Sequence, residues 1–481
     1  MGDLLSGGGG GARRRWPGVM LFNSLAFLYG FLPVTYLVFR HLTGKTPRYV
    51  CLAISGYVFY SFWNYKFCAL MLFSTLVSYA AGLALLRWQD PVRRRLCVWI
   101  PITMDLALLG FFKYANFMVT NLNEVSSWLG GRGTLPILEI VLPVGISFYT
   151  FHTITYIVDA YRGVITPTRN FFEFVAYVSL FTQLVAGPIV RFRQIEQDFE
   201  HIDRAERHAH RDIGWSFFVI GMIKKVLIAD TIAAVIDPAL ARYSELSTLS
   251  AWLCMLGYAY QLYFDFSGYS DMAVGLGYLF GLRLPQNFNS PYKATDFADF
   301  WRRWHISLSS FFRDYVYIPL GGNRGSRLMT YRNLMVTMLL CGLWHGANWI
   351  FVVWGAYNGL LLVLHQMIKE TWERFPRWTR QTGTFGLWVL GLVIFRSTGF
   401  DMVLTLLGTL FAFRGGAEIA GANVLIVVLV VAAALAHAGP NTFEIRHQWS
   451  PSWAAGFAVL FGICLFTLYG SRPAPYLYFQ F

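Results

Sequence analysis

Two histidines, His305 and His345, lie forty residues apart in a chain that is otherwise rich in apolar residues. His305 follows a basic, aromatic run, whereas His345 lies in an apolar segment expected to cross a bilayer. Ionisable groups at membrane depth are costly and usually face an interior cavity. Histidine has an unperturbed pKa near neutral pH, which suits a general base. The pair therefore predicts base-assisted chemistry, such as acyl transfer from a thioester to a hydroxyl.

The residues around His305 suggest how a donor substrate would be held. The stretch 299–318 is predicted as one amphipathic helix in which Arg302, His305 and Ser309 share a face. Nearby arginines would attract the phosphates of a large anionic donor such as an acyl-CoA, although a solvated cytoplasmic cluster explains them equally well. The candidate donor- or substrate-binding residues are Trp301, Arg302, Trp304, Ser309 and Asn348.

The surroundings of His345 predict a helical stripe facing a substrate or another helix. On a continuous helix, one stripe would hold Cys341, His345, Asn348 and Trp349. Gly342 and Gly346 would leave room beside the imidazole. Cys341 is also a candidate nucleophile, but a small apolar core residue is the simpler interpretation.

The elements that position these histidines are predicted from composition. The chain of 481 residues is 56% hydrophobic and only 14% charged, whereas ordinary soluble proteins contain about 25% charged residues. We therefore predict an all-α, polytopic transmembrane helical bundle with about eleven to thirteen spans and half-spans. Residues 19–481 would form one embedded domain, and the Gly- and Arg-rich residues 1–18 would be a disordered extension.

The formal net charge of +13 is distributed as a membrane protein would require. Lys and Arg cluster in short loops between apolar runs, as in 40–48 and 87–95, which places those loops in the cytoplasm. This pattern argues against a nucleic-acid partner. It predicts a multi-pass membrane protein surrounded by membrane lipid.

Polar residues interrupt several apolar runs. The run 50–86 is expected to divide at 63–66 into two spans. Asp265 and Asp271 lie at the end of an apolar run and indicate either a binding pocket or a helix break, with 272–282 as a half-helix.

Other classes of site remain open at this level. The six cysteines are scattered singly, so neither a zinc site nor a disulfide framework is indicated. We expect no tightly bound cofactor. Two buried histidines would also suit axial haem ligation, or the path of a transporter for a polysaccharide precursor or lipid carrier.

Several long motifs resemble the membrane-bound O-acyltransferase (MBOAT) family, in particular the branch of bacterial alginate O-acetyltransferase membrane subunits. The resemblance rests on the motifs Tyr263–Ala273, Asp299–Ser309, Phe312–Tyr315, Ile318–Arg324 and Gly342–Trp349. It implies a central funnel in a protein of the bacterial inner (plasma) membrane. It also implies that His345 is the catalytic histidine and His305 the second polar residue of the site. It also implies an acetyl-CoA or other acyl thioester donor, an exported polysaccharide acceptor such as alginate, and a separate periplasmic partner resembling an acetyltransferase or esterase.

Overall fold

The computed structural model describes residues 20–131, 133–204, 210–470 and 476–477, so the expected disordered extension at 1–18 lies outside it. Regular secondary structure in the described ranges is helical, which confirms the predicted all-α class. The α-helices are α1 Leu32–His41, α2 Lys45–Asn64, α3 Lys66–Arg87, α4 Pro91–Trp128, α5 Ile146–Tyr161, α6 Phe171–Val178, α7 Phe192–Glu200, α8 Arg211–Met222, α9 Asp230–Leu240, α10 Thr248–Leu279, α11 Phe297–Arg303, α12 Ile306–Phe312, α13 Arg327–His345, α14 Trp349–Glu373, α15 Arg377–Arg396, α16 Phe400–Phe411, α17 Ala422–Ala433 and α18 Pro451–Gly470.

Four of the described helices are long and apolar enough to cross a membrane, namely α3, α4, α14 and α18. The split predicted at 63–66 is confirmed, because α2 ends at Asn64 and α3 begins at Lys66. Exposed large apolar side chains cover much of the surface, as expected where lipid rather than water surrounds the helices. The central funnel stays a prediction.

Helix α10 forms the centre of the bundle and packs most extensively on α8. The two backbones approach closely at glycines: a Cβ atom on Gly268 would lie 2.8 Å from the carbonyl oxygen of Gly221. A Cβ on Gly275 would lie 2.5 Å from the carbonyl oxygen of Gly214. Small residues at such crossings let membrane helices gain van der Waals contact.

Of the two alternatives for Asp265 and Asp271, the helix break is wrong, and so is the half-helix at 272–282, because α10 runs unbroken from Thr248 to Leu279. Lysines from the π-helical segment Ile223–Ala229 neutralise the two carboxylates. Lys225 Nζ lies 2.5 Å from Asp265 Oδ1, and Lys224 Nζ lies 2.6 Å from Asp271 Oδ2. The aspartates therefore join two helices rather than end one.

Helices α13 and α14 form a tight hairpin. A Cβ on Gly355 would lie 2.5 Å from the Met338 carbonyl oxygen, so the two helices touch along their backbones. The continuous stripe predicted through His345 and Asn348 is wrong, because α13 ends at His345 and Gly346 is extended, with φ −170°. Helix α14 fills the space beside Gly342 and Gly346. Of the two expected occupants, a substrate or another helix, the structure therefore shows the helix.

Candidate active site

His305 lies at a break between α11 and α12, not within one long helix as the sequence predicted. Its φ of 43° is left-handed, a conformation that costs a residue other than glycine about 1–3 kcal/mol. Backbone hydrogen bonds to an adjacent segment hold this turn: Ile306 N donates to Asn287 O at 2.9 Å, and Asn289 N donates to Arg303 O at 2.9 Å. Tertiary contacts therefore override the local helical pattern.

The imidazole of His305 is almost fully buried, with 1% of its surface exposed. Its Nδ1 lies 3.0 Å from Oδ1 of Asn287. The ring meets Phe266 edge-on at a centroid distance of 4.7 Å and stacks on Phe288 at 6.4 Å. Aromatic rings and one amide thus fix its orientation.

His345 is the last residue of α13 and is half-buried. Its ring lies among three aromatic side chains, with centroid distances of 4.8 Å to Trp344, 5.1 Å to Trp354 and 5.2 Å to Phe395. Trp344 also lies 6.0 Å from the ring of His305. Both predicted histidines therefore have their rings beside the indole of Trp344.

Helix α4 supports the end of α13, a feature that sequence reasoning missed. Lys113 Nζ donates a hydrogen bond to the carbonyl oxygen of Trp344, and Tyr114 Oη donates to the carbonyl oxygen of Leu343 at 2.7 Å. The last carbonyl groups of a helix lack partners within the helix, and basic groups near that end are stabilising. The two side chains therefore hold the turn that carries His345.

The predicted binding residues are divided between the site and its periphery. Trp301 lies near the site, because its ring is 6.0 Å from that of Trp354. Trp304 is buried and stacks on Phe300 at 5.7 Å. Ser309 Oγ donates to the Trp304 carbonyl oxygen at 3.1 Å and so supports the break at His305.

Two other predicted binding residues are exposed and contact neighbours within their own helices. The side chain of Arg302 is 69% exposed and lies 3.8 Å from Asp299. Asn348 is exposed and caps α14, because its Oδ1 accepts the backbone N–H of Ile350 at 2.9 Å. The expected shared face of Arg302, His305 and Ser309 is wrong, because the chain turns at His305.

An ion pair secures the segment that follows α12. Arg191 lies 2.7 Å from Asp314, which also pairs with Arg313 at 2.7 Å. Burial acts to raise the pKa of Asp314, but hydrogen bonds from Arg313 and Arg191 outweigh it and hold that pKa below its ordinary value. The described residues contain no cluster of three or more His, Cys, Asp or Glu side chains suited to a metal ion.

Comparison with known proteins decides the family. A model of the membrane-bound O-acyltransferase family matches residues 164–404, a range that contains both histidines. The chain belongs to the MBOAT family. It is 44% identical over 399 residues to the probable alginate O-acetylase AlgI of Pseudomonas aeruginosa, covering 82% of this chain and 75% of that protein.

Two further relatives of this MBOAT protein carry other names. A peptidoglycan O-acetyltransferase of Helicobacter pylori is 37% identical over 432 residues, which cover 82% of this chain and 81% of that protein. A teichoic acid D-alanyltransferase of Bacillus subtilis is 29% identical over 245 residues, which cover 49% of this chain and 61% of that protein. The protein is thus a membrane O-acyltransferase, as the motifs predicted.

Proposed function

We propose that this MBOAT protein moves an acetyl group from a cytoplasmic thioester, such as acetyl-CoA, to hydroxyl groups of an exported polysaccharide such as alginate. The observation that carries the proposal is the convergence of His305 and His345 on Trp344. Relatives named alginate O-acetylase and peptidoglycan O-acetyltransferase support a polysaccharide acceptor. A bacterial inner membrane and a periplasmic partner resembling an acetyltransferase or esterase complete the proposal.

In this reaction His345 serves as general base and takes the proton of the acceptor hydroxyl. The hydroxyl oxygen forms a bond to the thioester carbonyl carbon, and the carbon–sulfur bond breaks. The proton then passes from the imidazole to the leaving thiolate, which restores the neutral base. His305 orients the donor or the acceptor, and the aromatic side chains around both rings keep water away from the thioester.

Membranes containing the protein, its periplasmic partner and acceptor polymer should incorporate label from radiolabelled acetyl-CoA. His345→Ala should abolish incorporation while the variant stays folded in the membrane. His201→Ala is the matched control, because His201 is exposed at the end of α7. Full incorporation by His345→Ala would refute the role of that residue, and polymer export without incorporation by the unaltered protein would favour a transporter.

A further inference from the structure

Asn287, which sequence reasoning did not single out, makes an unusually complete set of contacts beside His305. It is 1% exposed. Its Oδ1 lies 3.2 Å from the backbone N of Ser307, 2.9 Å from Ser307 Oγ and 3.0 Å from His305 Nδ1. Its Nδ2 donates to Ser270 Oγ at 3.1 Å. Every polar atom of the amide group therefore has a partner.

These contacts fix which nitrogen of His305 carries the proton. A backbone N–H can only donate, so the Asn287 atom that faces Ser307 N must be the oxygen and not the amide nitrogen. An oxygen that accepts from Ser307 offers only a lone pair to Nδ1. Since two facing lone pairs would repel, Nδ1 must carry hydrogen and donate it to Asn287.

The other ring nitrogen is left as an acceptor. In the neutral ring one nitrogen carries hydrogen and the other a lone pair, so Nε2 of His305 holds the lone pair. Nε2 is buried and has no hydrogen-bond partner within the part of the chain that the structure describes. A buried polar atom left this way costs about 1–3 kcal/mol, and such atoms often have a catalytic role.

We propose that Asn287 is a positioning residue that holds His305 as the Nδ1–H tautomer and thereby presents the Nε2 lone pair to a neighbouring hydroxyl of the acyl acceptor. This inference rests on the proposed function, because the hydroxyl belongs to the acyl acceptor. His305 then accepts a hydrogen bond from a hydroxyl next to the reacting one and so orients the sugar, while His345 takes the proton of the reacting hydroxyl. Asn287 itself touches no substrate.

Nitrogen-15 NMR of the full-length protein labelled with [15N]histidine reads the tautomer directly. The difference spectrum against His305→Gln isolates the signals of one ring. It should show a protonated Nδ1 and an unprotonated Nε2, a pattern that Asn287→Asp retains and Asn287→Leu loses. A protonated Nε2 in the unaltered protein, or an unchanged pattern in Asn287→Leu, would overturn the proposal.

Kinetics test the consequence for acyl transfer. Asn287→Leu should lower kcat by about 100-fold, the loss expected when a reacting group is misplaced by about 1 Å, with little change in the KM of the donor. Asn287→Asp should keep most of kcat, because its carboxylate still accepts from Nδ1. Equal losses of kcat in the Asp and Leu variants would overturn the positioning role.

A matched control separates positioning from folding. Asn333, on α13, is also buried, and its Nδ2 donates to the carbonyl oxygen of Gly322 at 2.9 Å, in the loop before that helix. Asn333→Leu should reduce thermal stability without lowering kcat per folded molecule; an equal fall in kcat would overturn the inference. If the unaltered protein transfers no acyl group but shows Nδ1–H, the proposed function fails and the tautomer assignment is supported. If it transfers acyl groups with Nε2–H, only the inference fails.

Discussion

Two residues of α4 that support the end of α13 should affect the rate of acyl transfer without touching the substrate. Lys113 and Tyr114 donate to the last carbonyl groups before His345. Lys113→Met removes the amine but keeps a side chain of similar length, and Tyr114→Phe removes only the hydroxyl. Both substitutions should loosen the final turn of α13 and displace the His345 ring from Trp354 and Phe395.

The size of the effect follows from the two donors. A hydrogen bond from a charged donor contributes about 1.5–3 kcal/mol and a neutral one about 0.5–1.5 kcal/mol. At about 1.4 kcal/mol for each tenfold change in rate, full transmission of these energies to His345 lowers kcat by about 2- to 150-fold for Lys113→Met, from a neutral amine at the low end to a charged one at the high end. The same conversion gives about 2- to 10-fold for Tyr114→Phe. Displacements of about 1 Å at a catalytic group have comparable consequences.

The assay is transfer of label from acetyl-CoA to polymer, normalised to the amount of folded protein measured by size-exclusion chromatography. Lys369→Met is the matched control, because Lys369 lies on α14 with an exposed side chain, 3.8 Å from Glu373. It should leave kcat unchanged. If Lys113→Met and Tyr114→Phe are both folded and both keep the kcat of the unaltered protein, the reasoning is refuted.

Three further predictions concern stability. Lys225→Met leaves the buried carboxylate of Asp265 without its 2.5 Å partner, and should lower the free energy of unfolding by about 3–5 kcal/mol in denaturant titrations. Gly268→Ala, placed against the backbone of α8, should lower the thermal midpoint through overpacking of about 1–3 kcal/mol, whereas Gly110→Ala, with nothing within 4 Å of the added Cβ, should not. Burial opposes the arginine hydrogen bonds at Asp314, but its folded pKa is lowered overall. The ionised carboxylate therefore contributes its full stabilisation above the unfolded pKa of about 3.9, and this stabilisation is lost as pH falls through the folded pKa. When thermal midpoints are measured against pH, Asp314→Asn should lack this part of the fall at acid pH.

The two histidines could be found from sequence because residue type and surroundings are local properties. An imidazole among tryptophans in an apolar chain is visible without coordinates. Asn287 and Lys113 could not be found in this way. They lie 18 residues from His305 and 231 residues from Trp344, respectively, and only the packed helices make them neighbours. Their own sequence surroundings contain no signal that refers to the site.

The hydropathy pattern and the clusters of basic residues determined by themselves that the chain is helical and embedded in a membrane. The reason is that a bilayer requires long apolar helices whose backbone groups are all hydrogen-bonded. Local polarity located the helix break at 63–66, but it failed at two other places. The stretch 299–318 has neither Gly nor Pro, yet it turns at His305 because the segment at 287–289 bonds to it. Helix α10 continues through Asp265 because Lys225, forty residues earlier in the chain, lies against it. Both outcomes depend on partners distant in sequence, which only the tertiary structure supplies.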